Sequence, residues 1–256
     1  MKKSLIFSAV GNPIGFYPEA YDSENHWRYN KPNRLYETVL YRYKDDFTPE
    51  ENTYDYISWN NKGFKWQIAH KFLEEFDWTD YEYVGFFDDD LISDIDNVNR
   101  AIQLAYDKKV KLFQLSTLKG SESSHRILHQ RDDLEYSITA FIEGMCNFIH
   151  TSCIPTLLNL WKFHDFKSGY GFDVIQTKIL KEKAMVVHSA SVYHPPATFK
   201  GYTPSYYKVE EANQEMLHIF HNVYPTFMMD QYHEYVNPIL GIDYQVYEEV
   251  KRTTND

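Results

Sequence analysis

Three adjacent carboxylates, Asp88-Asp89-Asp90, directly follow the apolar run Val84-Gly85-Phe86-Phe87. Like charges so close repel one another, and desolvating them unpaired is costly. A divalent cation is the simplest compensation. Side chains alternate along a strand, so Asp88 and Asp90 point one way and Asp89 the other. An Asp-x-Asp pair on one face suits Mg²⁺ or Mn²⁺, hard ions that prefer oxygen ligands. The competing reading is a solvated acidic turn ahead of Asp94 and Asp96. The preceding run favours the ion site. A buried strand is apolar on both faces, and its carboxyl end is where α/β sheets place ligands.

Other residue patterns offer partners for that pair. His194 ends an apolar run and precedes Pro195-Pro196, which restrict the chain around it. It could complete a metal site from a second direction, or be one loop histidine among 11. In Ser168-Gly169-Tyr170-Gly171-Phe172-Asp173, two glycines admit unusual backbone angles, and Asp173 falls in the first turn of a helix. A carboxylate there caps the helix or serves as a general base. Glu143 interrupts the apolar run Phe141-Ile142-Glu143-Gly144-Met145, so it is paired, faces solvent or lines a cleft. Lys62, Lys65 and Arg28 are candidate phosphate partners, with solvated side chains as the alternative. Lys65 opens a helix, where the backbone also favours anions. The loop Gly11-Asn12-Pro13-Ile14-Gly15 could bring backbone close to a ligand, but lacks the spacing of a nucleotide-binding fingerprint.

The elements that must position these groups alternate between strand and helix. Strands are expected at Leu5–Val10, Thr38–Tyr43, Thr53–Trp59, Val84–Phe87, Lys111–Ser116 and Met185–Tyr193. Apolar stripes at Phe64, Ile68, Phe72 and Phe76, and at Val98, Ala101, Ile102 and Ala105, predict amphipathic helices. Pro155 suits the first turn of a helix reaching Trp161, and the glycine-rich loop leads into a helix over Phe172–Leu180. Tyr136–Ile149 reads as one long strand broken at Glu143-Gly144, and Lys119–Asp133 as a polar, mobile connection. Beyond Tyr202 the pattern is helical, and the tail from Tyr232 has no clear assignment. The alternation predicts one α/β domain with a mostly parallel central sheet and helices on both faces. We divide it into residues 1–200 and a helical C-terminal extension, 201–256, packed on the same domain.

Composition narrows the function classes. The net charge of −11 argues against broad nucleic-acid binding through a basic surface. The 22 Tyr and 17 Phe can line sugar or base pockets as well as fill a core, so they do not discriminate. Cys146 and Cys153 are the only cysteines; they make no disulfide framework and lack zinc spacing, so a reducing, cytoplasmic setting is expected. Met1 to Val10 reads as a first strand, because its apolar part is too short for a signal sequence. No run of about 18 apolar residues predicts a membrane span. Contact with the inner face of a membrane stays open.

Four segments fall in a suggestive order: Lys62-Gly63-Phe64-Lys65-Trp66, Phe86-Phe87-Asp88-Asp89-Asp90-Leu91, Gly169-Tyr170-Gly171-Phe172-Asp173, and Val186 to His194. The order resembles the uncharacterised family labelled "lysine-ketoglutarate reductase trans-splicing related", and more broadly the nucleotide-sugar glycosyltransferases of the GT-A fold. Tyr170 stands where that family usually has Trp, and Phe172 where it has Leu. The resemblance implies a GT-A-like sheet and a metal-dependent transfer of sugar from a nucleotide-diphosphate donor to a glycan or lipid-linked acceptor. It implies Mn²⁺ or Mg²⁺ on Asp88, Asp90 and His194, and a base at Asp173 or Glu143 with inversion. By the same likeness the nucleotide and its diphosphate would lie near Gly11, Asn12, Arg28, Lys62, Lys65 and Asp89, and the acceptor near Tyr170 and Gly171. Two other classes remain: a nucleotide-sugar pyrophosphorylase-like nucleotidyltransferase, disfavoured because the first loop has no Arg or Lys, and a non-catalytic nucleotide-sugar or glycan-binding protein.

Overall fold

A computed structural model describes residues 2–11, 24–123, 125–196, 209–223 and 245–253. Its strands are β1 (Ser4–Val10), β2 (Tyr36–Arg42), β3 (Tyr56–Ser58), β4 (Tyr83–Asp88), β5 (Leu112–Thr117), β6 (Leu134–Thr139), β7 (Cys146–His150), β8 (Ala184–Val192) and β9 (Val246–Lys251). Its α-helices are α1 (Lys65–Glu75), α2 (Ile95–Lys108), α3 (Ile154–Trp161), α4 (Phe172–Leu180) and α5 (Val209–His218). The strands form one sheet in the order β3-β2-β1-β4-β7-β5-β8-β6-β9.

The sheet is parallel from β3 to β4. β7 then inserts antiparallel between β4 and β5. β8 runs parallel to β5, and β6 lies antiparallel between β8 and β9. Parallel strands end on the same side, and the register sets Ala9 beside Asp88. An antiparallel neighbour starts where they end. Cys146 of β7 therefore pairs with Phe87, and the loop Glu143-Gly144-Met145 arrives beside the acids.

The segment expected as one broken strand is thus two strands, β6 and β7, separated in the sheet by β8 and β5. β6 ends at Thr139, whose hydroxyl donates to the Phe141 carbonyl at 2.7 Å, and a turn at Gly144-Met145 precedes β7. The connection over 119–133 is also better anchored than its polarity suggests. Gln130 N–H donates to the Thr117 carbonyl at 2.8 Å, and Leu128 is fully buried.

β1 is buried along its whole length, so its residues feed two cores by alternation. Leu5, Phe7 and Ala9 meet α1, α3 and α4, through side chains such as Phe72, Leu157 and Ile175. Ile6 and Val10 lie on the other face with Val98, Ala101 and Ile102 of α2. The Phe7 and Phe72 rings stack at 4.9 Å. Burying one such ring stabilises by roughly 1.5–3 kcal/mol. α1 starts where Phe64 N–H donates to the Gln67 side chain at 3.0 Å, and α2 where Asp94 accepts from Asn97 N–H at 2.6 Å. α2 ends on Lys109 in the left-handed conformation, φ 56°.

After α5, Ile219 and Phe220 are buried in the same core as α1. The C-terminal part is not wholly helical, because β9 adds an edge strand against β6. Among the described residues, no helix is long and apolar enough to cross a membrane.

Candidate active site

Asp88, Asp90 and His194 each offer a ligand atom, and these atoms lie within 4.8 Å of one another. Three parts of the fold make this cluster. β4 ends at Asp88, and Asp89 and Asp90 form the turn that follows. Ile92 then pairs with Tyr193, just past the end of β8, which brings His194 back to the acids. Its Nε2 lies 3.4 Å from Asp90 Oδ1. His194 Nδ1 lies 2.8 Å from the Glu122 carbonyl oxygen. A carbonyl can only accept, so Nδ1 carries a proton and Nε2 is the nitrogen turned towards the acids, where it could take a ligand. Two carboxylates and an imidazole so arranged fit Mn²⁺ or Mg²⁺.

Asp89 points elsewhere, set by the turn after β4 rather than by strand alternation, and accepts from Gly11 N–H at 3.1 Å. It ties the end of β1 to the acidic turn. Lys65 reaches the site from the start of α1, but its ammonium is occupied. It lies 2.6 Å from Asp88 Oδ1, 2.6 Å from the Gly144 carbonyl and 3.2 Å from the Phe86 carbonyl. An ammonium has three hydrogens, so Lys65 orients Asp88 rather than offering a free donor to a phosphate. Arg28 is also not presented to a ligand. It is fully buried, with its guanidinium 4.7 Å from the Tyr29 ring and donating to that hydroxyl at 3.0 Å. Lys62 is exposed on the loop before α1 and does not line the acidic cleft. Asn12 and the rest of the first loop lie outside the described residues.

Beside the cluster is a cleft of about 240 Å³, lined by Lys65, Asp88, Glu143, Tyr170, Asp173 and His194 among others. A larger cavity of about 520 Å³ lies near the start of α2, lined by His26, Asn97 and Gln130 and by Ile92 and Tyr193, the pair next to the acidic turn and His194. The chemistry-bearing groups converge on the smaller one. Burial pushes the Glu143 carboxyl up to about 7, with Asp88 adding to the rise and His194 and Lys65 opposing it. Among the described residues, its buried Oε2 has no hydrogen-bond partner. Its backbone N–H is held by Gln114 Oε1 at 2.6 Å. Burial, then the nearby Glu143, pushes Asp173 up to about 8, against backbone hydrogen bonds that lower it. One is from Val174 N–H at 2.9 Å. Paired carboxyls raised this way are common in sites that move protons.

The glycines of the 168–173 loop allow close packing, and Gly169 also lines the cleft. A Cβ on Gly169, where φ is +84°, would sit 2.3 Å from Trp66 Nε1. Gly171 is buried, and a Cβ there would meet the backbone of Met216 at 3.1 Å. Gly171 is not among the described residues that line the cleft. Tyr170, 38% exposed, is the loop side chain that faces the cleft. Gly169→Ala should lower stability by about 1–3 kcal/mol through overpacking alone, read as a lower denaturant midpoint. A wild-type midpoint would show that Trp66 yields freely.

Sequence reasoning passed over Trp66, Ser168, Gln114 and Glu215, all of which shape this cleft or its wall. Only Glu215 carried a signal. It lies three residues after Ala212 and four before Ile219, so an acid sits at the border of an apolar helix stripe.

No protein-family model matches the sequence, and no curated protein does. Likeness to the "lysine-ketoglutarate reductase trans-splicing related" family thus rests on the four short segments alone. Solved structures do share the fold. A structure of S. aureus TarS 1-349 matches 88% of this chain and 74% of its own length, with a TM-score of 0.51 and 13% identity. The same fragment in complex with UDP-GlcNAc matches 89% of this chain and 75% of its own, with a TM-score of 0.51 and 13% identity. The fold is of the GT-A type. At such low identity the likeness speaks for the fold alone, and the chemistry has to be argued from the cleft.

Proposed function

We propose that the protein is a metal-dependent glycosyltransferase that moves a sugar from a nucleoside-diphosphate donor to a glycan or lipid-linked hydroxyl. The observation that carries this reading is the convergence, at the carboxyl ends of β1 and β4, of an Asp-Asp-His cluster and two raised carboxyls on one cleft. Asp88, Asp90 and His194 would hold the ion. When bound, a divalent cation neutralises the charge that gathers on a departing diphosphate. Lys65 holds Asp88, Asp89 holds Gly11, and the Glu122 carbonyl sets the His194 tautomer. Asp173 takes the proton of the acceptor hydroxyl as that oxygen bonds to the anomeric carbon. The carbon–oxygen bond to the diphosphate breaks, and the configuration inverts. Glu143 is its rival for that proton, or a hydrogen-bond partner for the acceptor. Tyr170 offers a ring face for a sugar. Residues 1–200 would form the catalytic unit, with the remainder packed on it.

UDP-GlcNAc is the first donor to test, because a structure of this fold holds it. A thermal-shift screen of nucleoside mono- and diphosphates and nucleotide sugars, with and without Mn²⁺, tests the reading. We expect stabilisation by a diphosphate that needs Mn²⁺. Equal shifts with and without the ion, or none with any nucleotide, would sink it.

A further inference from the structure

The wall of the cleft opposite the acidic cluster is held from outside by one carboxylate. Glu215, on α5, has a side chain only 7% exposed. Its Oε1 accepts from Lys167 N–H at 2.8 Å and lies 3.1 Å from His164 Nε2. Its Oε2 accepts from Ser168 N–H at 2.9 Å and from the Ser168 hydroxyl at 2.6 Å. The same hydroxyl oxygen accepts from Tyr170 N–H at 3.0 Å. The chain of bonds runs from a helix remote in sequence, through Ser168, to the residue whose ring faces the cleft.

Packing reinforces it from both sides. Met216, the next residue of α5, lies against Gly171, and Gly169 lies against Trp66 of α1. The Gly169 carbonyl accepts from Asp173 N–H at 3.2 Å, so the loop position is passed on to the start of α4. A buried carboxylate with several donors costs least when all are in place, so the arrangement favours one loop geometry.

The geometry points to Glu215 as a positioning residue. It fixes the 167–171 loop, and so the placement of Tyr170 and Asp173 relative to the Asp-Asp-His cluster. This rests on the transferase reading, since it assigns the loop to the acceptor side of that reaction. Among the described residues, Glu215 neither lines the cleft nor bonds to Asp88, Asp90 or His194. Its loss should therefore act on turnover and spare nucleotide binding.

Two variants test it. Glu215→Gln keeps the size but turns one acceptor into a donor that faces other donors. Ser168→Ala removes the hydroxyl that joins Glu215 to Tyr170, and where Glu215→Gln fails to fold it carries the exchange test at the Tyr170 amide. By hydrogen–deuterium exchange, the amides of Lys167, Ser168 and Tyr170 in Glu215→Gln should exchange at least about tenfold faster, with β4 and β5 unchanged. With UDP-GlcNAc and Mn²⁺, the kcat for UDP release should fall about 10- to 100-fold, because small misplacements are costly to turnover. The Kd for UDP with Mn²⁺ should stay within about twofold of wild type. Unchanged exchange at those amides overturns the proposal. So does faster exchange with wild-type kcat. Wild-type protein that releases no UDP overturns the transferase reading and the catalytic half of this proposal, while exchange still decides whether Glu215 holds the loop.

Discussion

Asp88→Asn, Asp90→Asn and His194→Ala should each weaken Mn²⁺-dependent UDP binding by at least about 10- to 100-fold, the range that loss of a mere supporting partner of a metal ligand already costs. The expectation follows from three donor atoms within 4.8 Å of one another. An amide oxygen is a poorer ligand than a carboxylate, and alanine offers none. The fold should survive in all three. Asn at position 88 can still accept from Lys65, and the core beneath is built from β1, β4 and β7 rather than from the acids. Titration calorimetry of UDP with Mn²⁺ reads the loss. The same titration in EDTA should show no difference among the four proteins. Wild-type affinity in all three variants would place the ion elsewhere.

The second large effect is on turnover. Asp173→Asn should lower kcat by about 10²–10⁴-fold, the usual contribution of a general base, while UDP and Mn²⁺ still bind. In wild type, kcat/KM should rise with pH towards about 8, since Asp173 must lose its proton to act and burial holds that proton up to about 8. Near wild-type turnover in Asp173→Asn, together with collapse in Glu143→Gln, would hand the role to Glu143.

The same shift has a stability side. The folded pKa of Asp173 lies above its ordinary 3.8, so the folded state binds the proton more tightly than the unfolded chain. That contribution is fully present below about 3.8 and is lost as pH rises through about 8. Melting temperature without ligand should thus fall across this window in wild type, and less steeply in Asp173→Asn. At pH 8 the inactive variant should be the more stable protein. Parallel curves would mean that Asp173 is not buried as a neutral acid.

How far could residue order alone reach? The strand before Asp88, the α1 and α2 stripes and the helix after Gly171 were legible, because periodicity and a turn signal act over a few residues. Asp88 and Asp90 were legible as a pair, although the turn after β4 sets them together rather than the strand alternation from which they were read. The partnership with His194 was readable only as one option beside a plain loop histidine, with the likeness favouring it. It takes the bridge between Ile92 and Tyr193 to bring the two segments together. Glu143 was equally open to solvent or cleft until β7 ran antiparallel between β4 and β5 and delivered it to the acidic edge. Strand direction is set by long-range pairing, which no local pattern encodes. The roles of charges were the least legible. Lys65 and Arg28 look alike as cations in sequence. The fold occupies one with Asp88 and two carbonyls and buries the other, because a charge takes its role from the partners that tertiary structure supplies. Gly169 and Gly171 likewise announced an unusual backbone locally. That the missing side chains make room for Trp66 and Met216 was decided by helices that begin about a hundred residues before the loop and forty after it.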